Sequence, residues 1–269
     1  MDVSHLKTWI GRTESAEERL TAALVDRFCA TLGCARADAA PPFLHWCLTQ
    51  PVAPMDALGP DGHPARGGFL PPVPLPRRMW AGGAVTHHAP LPVDSMVTRV
   101  STITDVAHKA GRSGDLIFVT VAHAFSADDR LCVEERQDIV YRGAAGATPP
   151  PAKSAPVGEE RRIAMTPTLL FRYSALTFNG HRIHYDAPYA TAVEGYGGLV
   201  VHGPLQATLL GHWAADLLGQ TPKTLTFRGV SPVFAPGDLI LAASRHDDGI
   251  TLATHGPDGR LAMTAEARL

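Results

Sequence analysis

The feature that most constrains this chain is a succession of strand-like segments between Gly83 and Arg142 with no helical pattern among them. Segments 83–88, 96–107, 115–125 and 131–141 are rich in Val, Ile, Thr and Phe, and turn signals fall at Gly111-Arg112-Ser113-Gly114 and Asp128-Asp129. Connections this short join antiparallel neighbours. A second set closes the chain at 223–231, 238–246, 249–255 and 260–268, with tight hairpins at Asp247-Asp248-Gly249 and Pro257-Asp258-Gly259. Segregated helices and strands exclude a repeated βαβ unit and with it a Rossmann-type sheet. No G-x-G-x-x-G or P-loop pattern follows a strand either.

The helical signals are few. Ser15 to Leu32 is predicted as a helix, with Ser15 as N-cap, Glu17 and Glu18 in the first turn, and Gly33 as the stop. A shorter helix is predicted over Pro42–Leu48, and an amphipathic one over Pro204–Leu218. Residues 161–173 are predicted as a strand. Residues 51–76 are dense in Pro and Gly and predict a wrapping loop that delivers Arg77-Arg78-Met79-Trp80-Ala81-Gly82-Gly83 to a defined place. Residues 143–158, small residues with Pro and Gly, read as a linker.

A weak internal repeat links the halves. His88-Ala89-Pro90-Leu91-Pro92-Val93-Asp94 and Ser231-Pro232-Val233-Phe234-Ala235-Pro236-Gly237-Asp238 each precede a long strand. Asp129-Arg130-Leu131-Cys132-Val133 likewise resembles Asp258-Gly259-Arg260-Leu261-Ala262-Met263. The expected class is α+β, a double hotdog in which each antiparallel sheet wraps one long apolar helix. The expected division is an N-terminal hotdog over 1–142, a linker over 143–160 and a C-terminal hotdog over 161–269. At 269 residues the chain is long enough for two such domains.

The chemistry concentrates between Phe171 and Leu210, where Asn179, His181, Arg182, His184 and Asp186 precede Leu199-Val200-Val201-His202-Gly203. An imidazole-rich loop followed by a helix N-terminus can set a base beside free backbone N–H donors, the parts needed to hold a thioester oxygen and move a proton next to it. Neutral imidazole exchanges protons near neutral pH, which suits His184 to acid–base work. A structural role is the default for any one of 13 histidines. An amide such as Asn179 is no base but can orient water. Gly203 has no side chain to block a ligand, and His202 is a second polar candidate beside it.

Asn179-Gly180-His181-Arg182-Ile183-His184 followed by Val200-Val201-His202-Gly203 resembles the signature of the hydratase-2, or MaoC-like, family. There Asp-x-Asn-Pro-(Leu/Ile)-His precedes Val-(Val/Ala)-His-Gly. Asn179 stands where the family's catalytic Asp usually stands, and His181-Arg182 replace Asn-Pro. The wording is closest to the double-hotdog branch, which includes hydratases of C5 dicarboxylyl-CoA thioesters and the type-2 hydroxyacyl-thioester dehydratases.

The resemblance implies one active site per chain, in the second half, with His184 as acid/base, Asn179 positioning water and the Gly203 N–H as oxyanion hole. It implies hydration of mesaconyl-C4-CoA or itaconyl-CoA to (S)-citramalyl-CoA. The alternatives are a fatty-acid type (R)-3-hydroxyacyl-thioester dehydratase, a hotdog thioesterase, and a non-catalytic acyl-CoA-binding protein. A free carboxylate and the CoA phosphates call for cations, and Arg78, Arg182, Arg172 and Arg77 are the candidates, with Arg78 and Trp80 favoured for the acyl end. Tyr185, Tyr189 and Tyr196 are candidate lining residues.

No cofactor is implied: no metal, flavin or nicotinamide, with coenzyme A part of the substrate. A net charge of −2 gives no reason to expect nucleic acid, and no apolar run approaches membrane-spanning length. Cys29, Cys34, Cys47 and Cys132 form no C-x-x-C pair and read as reduced thiols of a cytoplasmic protein. A homodimer is compatible with this picture.

Overall fold

The computed structural model describes residues 1–111, 114–143 and 158–269. A short helix α1 (Val3–Lys7) leads into β1 (Thr13–Arg19), α2 (Ala22–Leu32) and, after a long irregular segment, β2 (Arg77–His87), β3 (Met96–Gly111), β4 (Gly114–Ala127) and β5 (Arg130–Arg142). The second half opens with β6 (Glu159–Met165) and α3 (Pro167–Leu176), passes through the motif loop and β7 (Leu199–Val200) and reaches α4 (Gly203–Leu218). It ends with β8 (Thr224–Gly229), the short β9 (Phe234–Ala235), β10 (Gly237–His246), β11 (Gly249–His255) and β12 (Leu261–Arg268).

Ten strands form one antiparallel sheet in the order β1-β3-β4-β5-β2-β8-β12-β11-β10-β6. Each half contributes five neighbours, joined at the centre where β2 pairs with β8, Val85 opposite Leu225. In both halves an edge strand leads into a short helix, β1 into α2 and β6 into α3. This is the double hotdog. The linker expected at 143–160 lies, for 144–157, outside the described residues.

Three expectations need correction. Residues 13–19 are a strand, not the first turns of a helix, because Thr13 to Arg19 pair along β3, Glu17 opposite Thr98. The helix starts later, capped by Thr21, whose Oγ1 accepts the Leu24 N–H at 3.2 Å. Residues 161–173 are not one strand: the chain turns at Thr166, which caps α3 through the Leu169 N–H, and Pro167 pre-sets the first helical turn. The halves are not symmetric either. α2, with 11 residues, corresponds to α3, and only the second half carries a long central helix. Where the first half would hold its own, residues 33–76 run irregularly with short 3₁₀ turns at Leu44–Cys47 and Met55–Ala57.

α4 is buried almost all round, with Leu205, Ala207, Leu210, Trp213 and Ala214 in a core shared by both halves. His212 Nε2 bonds the Pro42 carbonyl at 2.9 Å, which holds the irregular segment of the first half against α4. Among the described residues no helix is long and apolar enough to cross a membrane.

Candidate active site

The missing helix leaves a cavity of ≈ 1820 Å³ between the halves, lined by β2, β4 and β5 of the first half and by α3, the motif loop and the α4 N-terminus of the second. It is large enough for an acyl group and part of a pantetheine arm.

His184 sits in a 3₁₀ turn, Arg182–His184, and is 7% exposed. Its Nδ1 lies 2.7 Å from the Val200 carbonyl. A carbonyl only accepts, so Nδ1 carries the proton and Nε2 keeps a lone pair. Burial lowers the ring's pKa to about 4, against the Val200 bond, which raises it, so the ring is neutral and base-ready at pH 7. His202 stacks on His184 with centroids 3.7 Å apart at 19°. Its Nε2 lies 2.8 Å from Ser174 Oγ. His202 is 1% exposed and outside the cavity wall, so it supports the His184 ring from behind rather than touching a ligand.

Asn179 faces the cavity, but its Oδ1 accepts the His181 N–H at 3.0 Å, closing an Asx turn that shapes the loop. Gly203 opens α4, and neither its N–H nor that of Leu205 has a partner among the described residues. A Cβ there would lie 2.8 Å from Trp80 Cε3, so only glycine lets the helix start against the indole. Trp80 is itself stacked on Phe227 at 4.6 Å and 23°.

The arginines separate cleanly. Arg182 is committed: Nε and Nη2 bond Asp186 Oδ2 at 3.0 and 2.8 Å, and Nη1 bonds the Pro60 carbonyl at 3.1 Å. Its guanidinium also lies 4.0 Å from the Tyr189 ring centroid. It fastens the first-half loop to the motif loop and has no fork left for a substrate. Tyr189 is buried beneath it, off the cavity wall, while Tyr185 and Tyr196 line the wall. Arg77 bonds the Glu194 carbonyl at 2.5 Å and pairs with its carboxylate at 3.5 Å. Arg172 is exposed on α3 and does not line the main cavity. Arg78 lines it and forms no ion pair among the described residues. Across the β2–β5 register from Arg78 stands Tyr141; burial pushes its phenol pKa up, and the neighbouring Arg78 guanidinium works against that rise.

The Pro/Gly-rich segment does more than deliver Arg78. It carries His63 onto the wall beside His181, with Asp61 behind the His63 ring. His63 and His181 rings lie 4.2 Å apart, and His181 and His184 rings 5.4 Å apart at 88°. Asp61, His63 and His181 are also the one described group with metal-ligand potential, their candidate atoms within 4.8 Å of one another. Sequence reasoning missed Asp61 and His63. The available signal was a pair of ionisable residues flanking a glycine inside an otherwise apolar, proline-rich stretch.

The chain is a ten-stranded double hotdog with a buried imidazole and an uncapped helix N-terminus on one cavity, and its relatives make it a MaoC-like hydro-lyase. The family model for hydroxyacyl-thioester dehydratase type 2 matches residues 43–235, and the chain belongs to that family. It is 45% identical to the mesaconyl-C(4)-CoA hydratase of Chloroflexus aurantiacus over 97% of this chain and 96% of that one. With the mitochondrial hydroxyacyl-thioester dehydratase type 2 of Schizosaccharomyces pombe it shares 28% identity over 76% of this chain and 77% of that protein. HtdX from Mycobacterium tuberculosis superposes with a TM-score of 0.72 at 18% identity, covering 95% of this chain and 98% of that one.

Proposed function

We propose that the protein hydrates a branched C5 dicarboxylyl-CoA of the mesaconyl-C4-CoA type, giving citramalyl-CoA. The observation that carries this reading is Arg78, a cation with no ion-pair partner among the described residues, whose charge reaches His63 and His181 at the same cavity wall as His184. A fatty enoyl chain would leave that charge unanswered, whereas a substrate carboxylate pairs with it bidentately. The near-full-length relationship to a mesaconyl-C(4)-CoA hydratase points the same way.

His184 Nε2 takes a proton from water as the water oxygen bonds to the β-carbon. The electrons of the double bond move towards the thioester oxygen, where the Gly203 N–H and the α4 dipole face the developing charge. The proton on His184 then passes to the α-carbon, and water has been added with no other reactant. Trp80, on the same strand as Arg78, walls the acyl group.

The test supplies mesaconyl-C4-CoA, itaconyl-CoA and crotonyl-CoA to purified protein and follows loss of the conjugated thioester with mass detection of product. Gain of water on a dicarboxylyl substrate and little on crotonyl-CoA is expected. Arg78→Gln should lower kcat/KM for the dicarboxylyl substrate by about 10–100-fold, as loss of a charge-assisted hydrogen bond implies, and leave crotonyl-CoA unchanged. Hydration of crotonyl-CoA alone, or an unchanged preference in Arg78→Gln, would overturn the reading.

A further inference from the structure

We infer that His63, backed by Asp61, is a second catalytic group of this site, one that clasps the attacking water together with His184. The inference rests on the hydratase reading. A water that attacks carbon must be held by its hydrogens, so that an oxygen lone pair is free to point at the carbon. Two acceptors fix it; one leaves it free to swing. His184 supplies one acceptor, Nε2, because its Nδ1 proton is turned to Val200. Asn179 Oδ1 already accepts the His181 N–H, which ties that oxygen to the shape of the loop and leaves it one lone pair.

The segment arriving from the first half supplies the second acceptor. Asp61 Oδ1 accepts the His63 backbone N–H at 3.1 Å and Oδ2 lies 3.0 Å from His63 Nδ1. Both carboxylate oxygens are therefore turned on one residue. Burial works to raise the Asp61 carboxyl, but the His63 bonds outweigh it and hold Asp61 ionised. A carboxylate only accepts, so Nδ1 carries the proton and Nε2 is left with its lone pair, as in any carboxylate-oriented imidazole. His63 stays neutral because burial outweighs the Asp61 bond, with the Arg78 charge adding to the depression. Three neutral rings, His63, His181 and His184, thus line one cavity, and the tautomers of His63 and His184 are set from behind by Asp61 and Val200.

Placement is over-determined. Gly62, between the two residues, has φ +86, and a Cβ on it would lie 2.0 Å from the Gly180 carbonyl oxygen. A Cβ on Gly180 would in turn lie 2.6 Å from the Gly62 oxygen. The Arg182 N–H bonds the Asp61 carbonyl at 2.9 Å. Asp61-Gly62-His63 is therefore locked against Asn179-Gly180-His181 by backbone contact on both sides. In the reaction one water proton goes to His184 Nε2 and then to the α-carbon. The other stays on oxygen, held by His63 Nε2, and becomes the product hydroxyl hydrogen. His63 touches the reacting water; Asp61 is a positioning residue that acts through it.

The test uses the full-length protein and mesaconyl-C4-CoA. His63→Ala should lower kcat at least about 100-fold with KM within about threefold, and added imidazole should recover at least about tenfold. Asp61→Asn, which frees the ring to adopt the other tautomer, should lower kcat about tenfold with KM unchanged. His63→Gln, which keeps the side-chain bulk, should also lose kcat, and it reports if the alanine variant fails to fold. Incubation with a chelator should leave the wild-type rate unchanged. A His63→Ala or His63→Gln rate within threefold of wild type would overturn the inference. So would an effect confined to KM, or a correctly folded His63→Ala protein that imidazole does not help. Activity lost to the chelator and restored by zinc would also overturn it, since Asp61, His63 and His181 would then be metal ligands. Wild-type protein that turns over neither mesaconyl-C4-CoA nor crotonyl-CoA is a different failure, that of the hydratase reading itself, and is seen before any variant is made.

Discussion

Gly62→Ala is the sharpest perturbation of the contact that assembles the site, because the molecule contains its own control. Gly62 has φ +86 and Gly11 has φ +87, so an alanine at either meets the same left-handed backbone penalty, about 1–2 kcal/mol. The surroundings differ. A Cβ on Gly11 meets nothing within 4 Å, whereas one on Gly62 meets the Gly180 oxygen at 2.0 Å and its carbonyl carbon at 2.9 Å. A carbonyl cannot swing aside as a side chain can. Either the motif loop distorts, at an overpacking cost of about 1–3 kcal/mol, or the segment lifts away and loses the bonds from Arg182 to Asp61 and Pro60, about 0.5–1.5 kcal/mol each. Gly62→Ala should therefore destabilise by about 2–5 kcal/mol in urea unfolding, and Gly11→Ala by about 1–2 kcal/mol. Hydration of mesaconyl-C4-CoA should fall at least about 100-fold in Gly62→Ala and stay within threefold of wild type in Gly11→Ala. Equal destabilisation of the two variants, or an active Gly62→Ala protein, would refute the claim that backbone contact sets Asp61 and His63 in place.

Two further outcomes follow from the same geometry. His184 has its pKa lowered from an ordinary 6.5 to about 4, so the base form persists in acid; the acidic limb of kcat/KM should fall near pH 4 rather than pH 6.5, read from rate profiles. The unfolded chain binds more protons across that window, so stability should decline as pH falls from about 6.5 to 4, by up to about 3 kcal/mol for this ring, checked by urea melts at stepped pH. Gly203→Ala drives a methyl to 2.8 Å from Trp80 Cε3 and should destabilise by about 1–3 kcal/mol; in a Trp80→Phe background the penalty should drop below about 1 kcal/mol, and a double-mutant cycle measures the difference.

The strands were legible because period-2 apolar patterns and Asp- and Gly-bearing turns are local signals. β3, β5, β11 and β12 fall within a few residues of their expected bounds. α4 was equally plain, since its apolar run opens at Gly203-Pro204. Residues 15–21 were misread because Leu20 and Leu24 serve a helical spacing while the decisive interaction, pairing with β3, is long-range; 22–32 are the expected helix. At the site, His184 and Gly203 could be found from the motif. The commitment of Arg182 and the burial of His202 and Tyr189 depend on partners that no local pattern reveals. Arg182 and Pro60 meet across 122 positions. Asp61 and His63 were hidden for the opposite reason: they lie in a segment without periodicity, where only the fold assigns neighbours.

The asymmetry between the halves explains why that segment matters. A hotdog helix in the first half would fill the space against the sheet, close the cavity and remove the need for residues 33–76 to take an irregular path. Without it, β2 exposes one face, and Arg78 and Trp80 on that face line the cavity. The chain must still cover the gap, and Pro-rich backbone does so without a second helix while carrying few buried N–H groups that need partners. Its return is fastened at both ends, Arg66 bonding the Val73, Leu75 and Pro76 carbonyls and Arg182 bonding that of Pro60. The half without a signature thus contributes Arg78, the Trp80 indole that meets the α4 N-terminus and the Asp61-oriented His63 ring. The second half contributes the buried His184 and the α4 N-terminus. Each set is incomplete alone, so the duplicated fold makes one site from two halves that have diverged into different tasks.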